Sequence, residues 1–233
     1  MISNQGSGRT GTLKKKEPSS QRHERIYKNI RERICLLTYP PGTILSETEL
    51  AAEFEVSRTP VRRVVQQLHF EGLVEIKNGV GTIVTDIDLK TFKDIYDFRM
   101  RLAELIGELS PAQVTDAQIE TMEQLLARAK AIRNSPDIAN YARINNDLLE
   151  LLLDLIGSGP LRETSERLYY RVARIWYTFL PDLDWSKSVA AVEAEMTEIL
   201  EAMRRNDVRA VGKVRSRYLH DILTRVSEYI GGN

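Results

Sequence analysis

Hydrophobic and polar positions divide the chain into two textures. Up to Val84 the apolar residues recur over short segments separated by turn-forming residues; from about Lys90 onward they recur at helical spacing over long stretches. In the first part, Ile26, Ile30, Ile34 and Leu37 are spaced by four, four and three, which predicts a helix with one apolar stripe. Pro40-Pro41-Gly42 ends it, and Ile44-Leu45 follows as a short extended piece. Ser46-Glu47-Thr48-Glu49 has the spacing of a capping box opening a second helix that buries Leu50, Ala51 and Phe54. After the turn Glu55-Val56-Ser57, a third helix begins with Ser57 as N-cap and Pro60 in its first turn, where a missing N–H costs nothing. Val61, Val64, Val65 and Leu68 form its inward face, and Gly72 ends it. Leu73–Ile76 and Thr82–Val84 then read as two strands joined by the turn Lys77-Asn78-Gly79-Val80-Gly81.

The outward face of the third helix starts with Arg58, Thr59 and Arg62, which project together at three- and four-residue spacing. Alone, such a triplet reads as a solvated helix face. Two helices joined by a tight turn, with donors at the start of the second, instead describe a helix-turn-helix whose second helix enters a DNA major groove. Arginine can give two parallel bonds to guanine, threonine offers a hydroxyl and a methyl, and the helix N-terminus at Ser57 favours a phosphate. The strand pair is then the wing, and the glycines at its tip permit close approach to the DNA backbone.

Six helical stretches follow, at about 91–110, 115–134, 136–156, 160–180, 187–205 and 207–230. They are separated by Ser110-Pro111, Ser135-Pro136, Gly157-Ser158-Gly159-Pro160, Pro181 and Asn206-Asp207. Residues 148–156 are apolar nearly all round, as in a helix central to a bundle. The expected fold class is mostly α: a winged helix-turn-helix at 21–86 and an all-α bundle at 90–233, after a tail at 1–20. Lys14-Lys15-Lys16 in that tail is either a solvated terminus or an arm touching phosphates.

Composition narrows the function classes. The 233 residues carry 33 Lys/Arg and 33 Asp/Glu, which excludes a globally basic coating protein. The residues through 86 hold 13 basic and 10 acidic side chains, and the remainder 20 and 23, an asymmetry too small to decide anything. No apolar run is long enough to span a membrane, and no apolar leader segment opens the chain, so a cytoplasmic protein is expected. Cys35 is the only cysteine and the histidines at 23, 69 and 220 are scattered, which excludes an internal disulfide and any cysteine-based zinc site. No nucleophile and base stand in a recognisable pattern, so an enzyme is not expected.

The run Pro41–Glu47, then Glu49-Leu50-Ala51, Val56–Arg62, Leu68 and Glu71–Val74 resembles the GntR family of bacterial transcription regulators. The resemblance implies that Ser57, Arg58, Thr59 and Arg62 contact DNA and that Asn78 and Gly79 add contacts from the wing. Thr48 stands where some members place an arginine, and Arg63 where an acidic residue is usual. The loss removes one contact, and the gain adds positive charge near the duplex. The helical part resembles the FCD effector domain of the FadR-type subgroup, in the order of its helices, the break at 157–161 and the segment from Glu195 to Leu219.

Many FCD domains hold a metal through an aspartate and three histidines. The register implied by the resemblance places Asn146, Glu150, Met196 and Tyr218 at those positions. All the histidines are missing, so no metal and no other cofactor is expected. The same four residues line the expected effector pocket, with Arg99 and Arg101 offered to a carboxylate. Each has a plainer reading: Met196 as core filler, Tyr218 satisfied by a neighbour, Arg99 in a surface ion pair. Arg162, Arg167, Arg171 and Arg174 read as solvated helix faces, and Trp176 and Tyr177 as core or interface. The sequence thus points to a homodimeric regulator of double-stranded operator DNA answering to a small organic acid. The rival is a DNA-binding protein whose helical part only dimerises.

Overall fold

The computed structural model describes residues 17–86 and 88–231; the basic run at 14–16 lies outside them. Helix α1 (Ser19–Cys35) buries Ile26, Ile30 and Ile34 on one face. Leu37, assigned by spacing to the same stripe, stands beyond the helix end in the left-handed region at φ 59°. Strand β1 (Ile44–Leu45), helices α2 (Glu47–Glu53) and α3 (Arg58–Phe70), and strands β2 (Val74–Lys77) and β3 (Gly81–Val84) complete the N-terminal winged helix-turn-helix, hereafter the reader. The sheet is antiparallel in the order β1-β3-β2, with Val74 opposite Val84. Both valines are buried, as are Val61, Val64, Val65 and Leu68 of α3.

Two local expectations change in detail. Ser46 accepts the Glu49 amide at 3.3 Å, but only that half of the capping box forms. Ser57 has the extended N-cap backbone, yet its hydroxyl makes no capping bond.

The helical part contains α4 (Leu89–Glu104), α5 (Asp116–Ile132), α6 (Ile138–Asp154), α7 (Gly159–Phe179), α8 (Trp185–Arg204) and α9 (Val208–Gly231). Asp88, Thr115, Asp137 and Asp184 cap α4, α5, α6 and α8, each accepting an amide from the first turn. The first helix stops earlier than the spacing predicts, giving way to a 3-10 turn at Leu105–Gly107. There Gly107 lies against the backbone of Arg209: a Cβ would come within 2.2 Å of its Cα. A Cβ on Gly212 would sit 2.4 Å from the Ala103 carbonyl oxygen. The missing side chains let α9 approach α4 closely.

Helix α7 carries the junction between the two parts. Arg31 of α1 is buried there, its guanidinium 3.6 Å from the centre of the Tyr170 ring and 4.8 Å from that of Tyr27. It donates to Glu166 at 2.8 Å and to the Tyr27 hydroxyl, which in turn donates to Glu71 of the reader. The Cys35 thiol lies 3.7 Å from the Tyr170 carbonyl oxygen.

The expectation that the arginines of α7 are solvated fails for Arg171 and Arg174, because the reader docks on that face, while Arg162 and Arg167 stay largely open to solvent. Arg174 is fully buried and donates to the Thr85 carbonyl and hydroxyl at 2.8 and 2.7 Å. Arg171 packs against Gly72, whose φ of +77° suits only glycine. Arg167 lies over Phe70 at 5.8 Å. Only Arg162 keeps to its own domain, bonding to Asp154 and the Leu153 carbonyl.

Gly212→Ala should destabilise the fold by about 1–3 kcal/mol, since the added methyl meets backbone that cannot yield. Gly159→Ala, with open space around it, should change stability little. Chemical denaturation of both variants checks the pair.

Candidate nucleic-acid interface and buried arginine site

Helices α2 and α3 meet through the turn 54–57, where Glu55 takes a left-handed backbone (φ 54°) and the Val56 amide bonds to the Ala51 carbonyl at 2.9 Å. The valines of α3 fasten it to the reader core, so its opposite face is left to solvent. Ser57, Arg58, Thr59, Arg62 and Arg63 are all exposed on that face, as is Thr48 on α2. Across the wing, Asn78 and Gly79 are exposed at the tip, where Gly79 holds φ +77° in a turn closed by Val80 N to Lys77 O at 3.1 Å. Nothing lies within 4 Å of a Cβ on Gly79, so backbone conformation and not crowding requires glycine there.

Spacing alone did not show how the reading arginines are held. Glu47, the first residue of α2, reaches Arg58 Nη2 at 3.4 Å and Arg62 Nη2 at 3.1 Å. The arginine side chains remain 60 and 58% exposed while the carboxylate between them is 20% exposed. Glu47 therefore holds two mobile guanidinium groups side by side, at the cost of part of their positive field. Glu47 is plain in the Ser46-Glu47 run, but the arginines it faces lie eleven and fifteen residues further along the chain.

In the helical part the residues assigned to an effector pocket separate. Arg99 is buried and faces two adjoining cavities of about 40 and 20 Å³. Both cavities are lined also by Arg215 and Leu219; the smaller adds Tyr96, Asn145, Tyr169 and Trp176. Arg101, two residues on, points away from them: it is 78% exposed and pairs with Glu104 at 3.2 Å. Met196 and Tyr218 are buried but line neither cavity, and Asn146 and Glu150 line an outer groove between α6 and α1 instead. Helix α6 is turned so that Asn145 and Leu149 face inward. The plain reading of Arg99 as a surface ion pair is also corrected, since it is buried.

The charges inside do not balance. Arg215 pairs with the fully buried Glu195 at 2.7 Å, while the second oxygen of that carboxylate, Oε2, has no hydrogen-bond partner among the described residues. Burial holds the Glu195 carboxyl above the usual range. Arg99 has only aromatic company, with Tyr96 and Tyr169 at 4.9 and 5.4 Å from its guanidinium carbon. Among the described residues no carboxylate lies within ion-pair distance of it. Burial lowers its pKa, and the neighbouring Arg215 lowers it further.

The donors at the register of the family's metal do not suit a divalent ion. The Asn146 oxygen is taken by the Tyr169 hydroxyl at 2.7 Å, Glu150 is exposed, Met196 offers a thioether, and burial keeps the Tyr218 phenol protonated well above its usual range. No cluster of three or more His, Cys, Asp or Glu side chains with metal-binding geometry occurs among the described residues.

Comparison with known proteins agrees with this architecture. Residues 22–84 match the bacterial regulatory proteins of the gntR family, and residues 94–221 match the FCD domain. The chain belongs to the gntR family of regulators that carry an FCD domain. Members of that family are DNA-binding transcription regulators, not enzymes. The uncharacterized HTH-type transcriptional regulator YdhC of Bacillus subtilis is 30% identical over 61% of this chain and 64% of its own length. The HTH-type transcriptional repressor RspR of Escherichia coli is 23% identical over 91% of both chains. In fold the chain is similar to E. coli McbR/YncC (TM-score 0.76, 15% identity, covering 91% of this chain and 99% of that one). It is also similar to a putative GntR regulator from Rhodococcus sp. RHA1 (TM-score 0.67, 22% identity, 88% and 97%). No helix among the described residues is long and apolar enough to cross a membrane.

Arg58→Ala and Arg62→Ala should each weaken binding to a cognate operator by about 1–3 kcal/mol at fixed salt. Arg63→Ala should weaken operator and random duplex alike and lower the salt slope by about one. Fluorescence anisotropy titrations at several salt concentrations separate the two behaviours.

Proposed function

We propose that this chain is a ligand-responsive transcription repressor that binds a near-palindromic operator as a homodimer and answers to a small carboxylate anchored on Arg99. The single observation that carries the effector reading is the buried guanidinium of Arg99, which has tyrosines but no carboxylate within ion-pair distance among the described residues. A buried positive charge with no opposite charge beside it is costly, and an anion entering next to it would offset that cost. With Arg99 and Arg215 facing one carboxylate, Glu195, the interior has one positive charge to spare.

The cavities at Arg99 have room for little more than a water or two. An organic acid must therefore part the helices that enclose it. Tyr169 of α7 forms one wall, and the next residue, Tyr170, holds Arg31 of the reader. Ligand binding that displaces α7 alters the seat of the reader, and the two equilibria are linked. A conformer with the cavity open binds the anion better, so the anion shifts the population toward it. The chemistry needs no bond to be made or broken, and in this reading no metal takes part.

The small size of the cavities also favours a second reading, in which the helical part only dimerises and senses nothing. A thermal-shift screen of small organic acids and acyl thioesters separates the two. In the sensing reading at least one compound raises the melting temperature of the parent protein and lowers its operator affinity, while Arg99→Met abolishes both responses and leaves unliganded operator binding intact. A screen in which Arg99→Met responds as the parent does removes the assigned anchor. Metal analysis of the purified protein is expected to find no stoichiometric zinc, nickel or manganese.

A further inference from the structure

The wing is almost without charge to offer a polyanion. Between Val74 and Val84 the only ionisable side chains are Glu75 and Lys77, and these pair with each other at 3.2 Å. A hairpin built to grip phosphates carries unpaired cations, since phosphate affinity comes from lysine and arginine. This one presents an apolar tip instead. Val80 is 54% exposed, takes no part in the core, and stands between two glycines. Gly79 and Gly81 hold φ +77° and +120°. The tip is therefore thin, a single aliphatic knob with no side chain immediately before or after it. The Ile44 side chain, also exposed, lies 3.7 Å from where a Cβ on Gly81 would stand and backs the tip with further apolar surface. Asn78 adds an exposed neutral amide.

With α3 in the major groove, an element beside it that crosses one strand comes to the minor groove. That groove is about 6 Å wide, which admits a thin tip and excludes a broad one. At an A·T pair its floor shows only acceptors, adenine N3 and thymine O2, whereas a G·C pair adds the protruding 2-amino group of guanine. Valine cannot accept a hydrogen bond from that amino group and would bury it unsatisfied. Against an A·T pair the valine meets base edge and deoxyribose carbon, and the Asn78 amide can donate to an acceptor alongside.

We infer that Val80 is a specificity-determining residue for DNA, entering the minor groove beside the α3 contact and selecting A·T pairs there by the absence of the guanine 2-amino group. The inference rests on the reading in which α3 and the wing both face the duplex, and it adds a base preference at positions that α3 does not touch. The selection works by exclusion. It contributes no charge, so it changes which duplex is held and leaves the salt dependence of binding to the arginines of α3.

Base analogues test this directly. Duplexes selected by the full-length protein from a random library should carry a short A·T block at a fixed distance from the bases read by α3. One selected duplex is then rebuilt within the block, and affinity is measured by fluorescence anisotropy at fixed salt. Changing A·T to G·C should weaken binding about fivefold or more. Inosine·C lacks the 2-amino group but keeps the major-groove face of G·C, and it should bind as A·T does. 2,6-Diaminopurine·T has the amino group with the major-groove face of A·T, and it should bind as weakly as G·C. Val80→Asn, whose side-chain carbonyl can accept from the amino group, should bind all four duplexes alike. An unchanged melting temperature shows that the variants fold. Selected duplexes without an A·T block, or inosine·C as weak as G·C, overturn the inference, and so does a Val80→Asn variant that keeps the preference of the parent. Val80→Asp shows which premise failed. If it weakens every duplex, the wing faces DNA and only the role of Val80 falls; if it binds as the parent does, the wing stands away from the duplex and that reading falls with it.

Discussion

Helix α7 serves two packing surfaces at once, and most of the architecture follows from that constraint. Tyr169 closes the interior of the bundle beside Arg99, and Tyr170, its neighbour in sequence, lies under the guanidinium of Arg31 from the reader. One turn further on, Arg174 reaches the segment that leaves the wing at Thr85. A helix is stiff along its length, so its two faces cannot be adjusted independently. Any event that changes the packing of one ring changes the support of the other.

The interior beside that helix is polar in an unusual way. A bundle of this size could have been filled with aliphatic side chains, as the leucines of α6 fill their side of it. Instead two guanidinium groups, one carboxylate and a set of tyrosines meet there, with one oxygen of Glu195 left unpartnered. Replacement of such groups by apolar side chains is often neutral or stabilising, so their presence is better explained by a task than by stability. Close packing of α9 on α4 at Gly107 and Gly212 then fixes how near Arg99 and Arg215 come to each other.

The reader was legible in the sequence because its determinants are local. A serine three residues before a glutamate, a proline in a first turn and glycines with positive φ each act within a few residues. The six helices of the second part were legible from their breakers for the same reason. Arg171 and Arg174 of α7 were not, because they share the spacing of a solvated stripe with the exposed Arg167 and only the docking of the reader distinguishes them. Arg99 and Arg101 could have been separated in advance. Ile95, Arg99 and Leu102 share the apolar face of α4, whereas Arg101 falls outside it. The register of α6 was likewise readable from Tyr141, Asn145, Leu148 and Leu152, which put Asn145 inward, but alignment to a family pattern favoured its neighbour.

The carboxylate of Glu47 has a consequence for the search along the chromosome. Random duplex offers phosphates everywhere, and each phosphate that nears Arg58 or Arg62 must also near a negative charge placed between them. On the proposed reading of this face, the protein would be held less firmly away from its target than by two arginines without Glu47. On the same reading, guanine edges in the right places would offer the guanidinium groups directed bonds in exchange for their contact with Glu47. If Arg58 and Arg62 read bases, an acidic side chain between them would shorten the stay at wrong addresses more than at the right one.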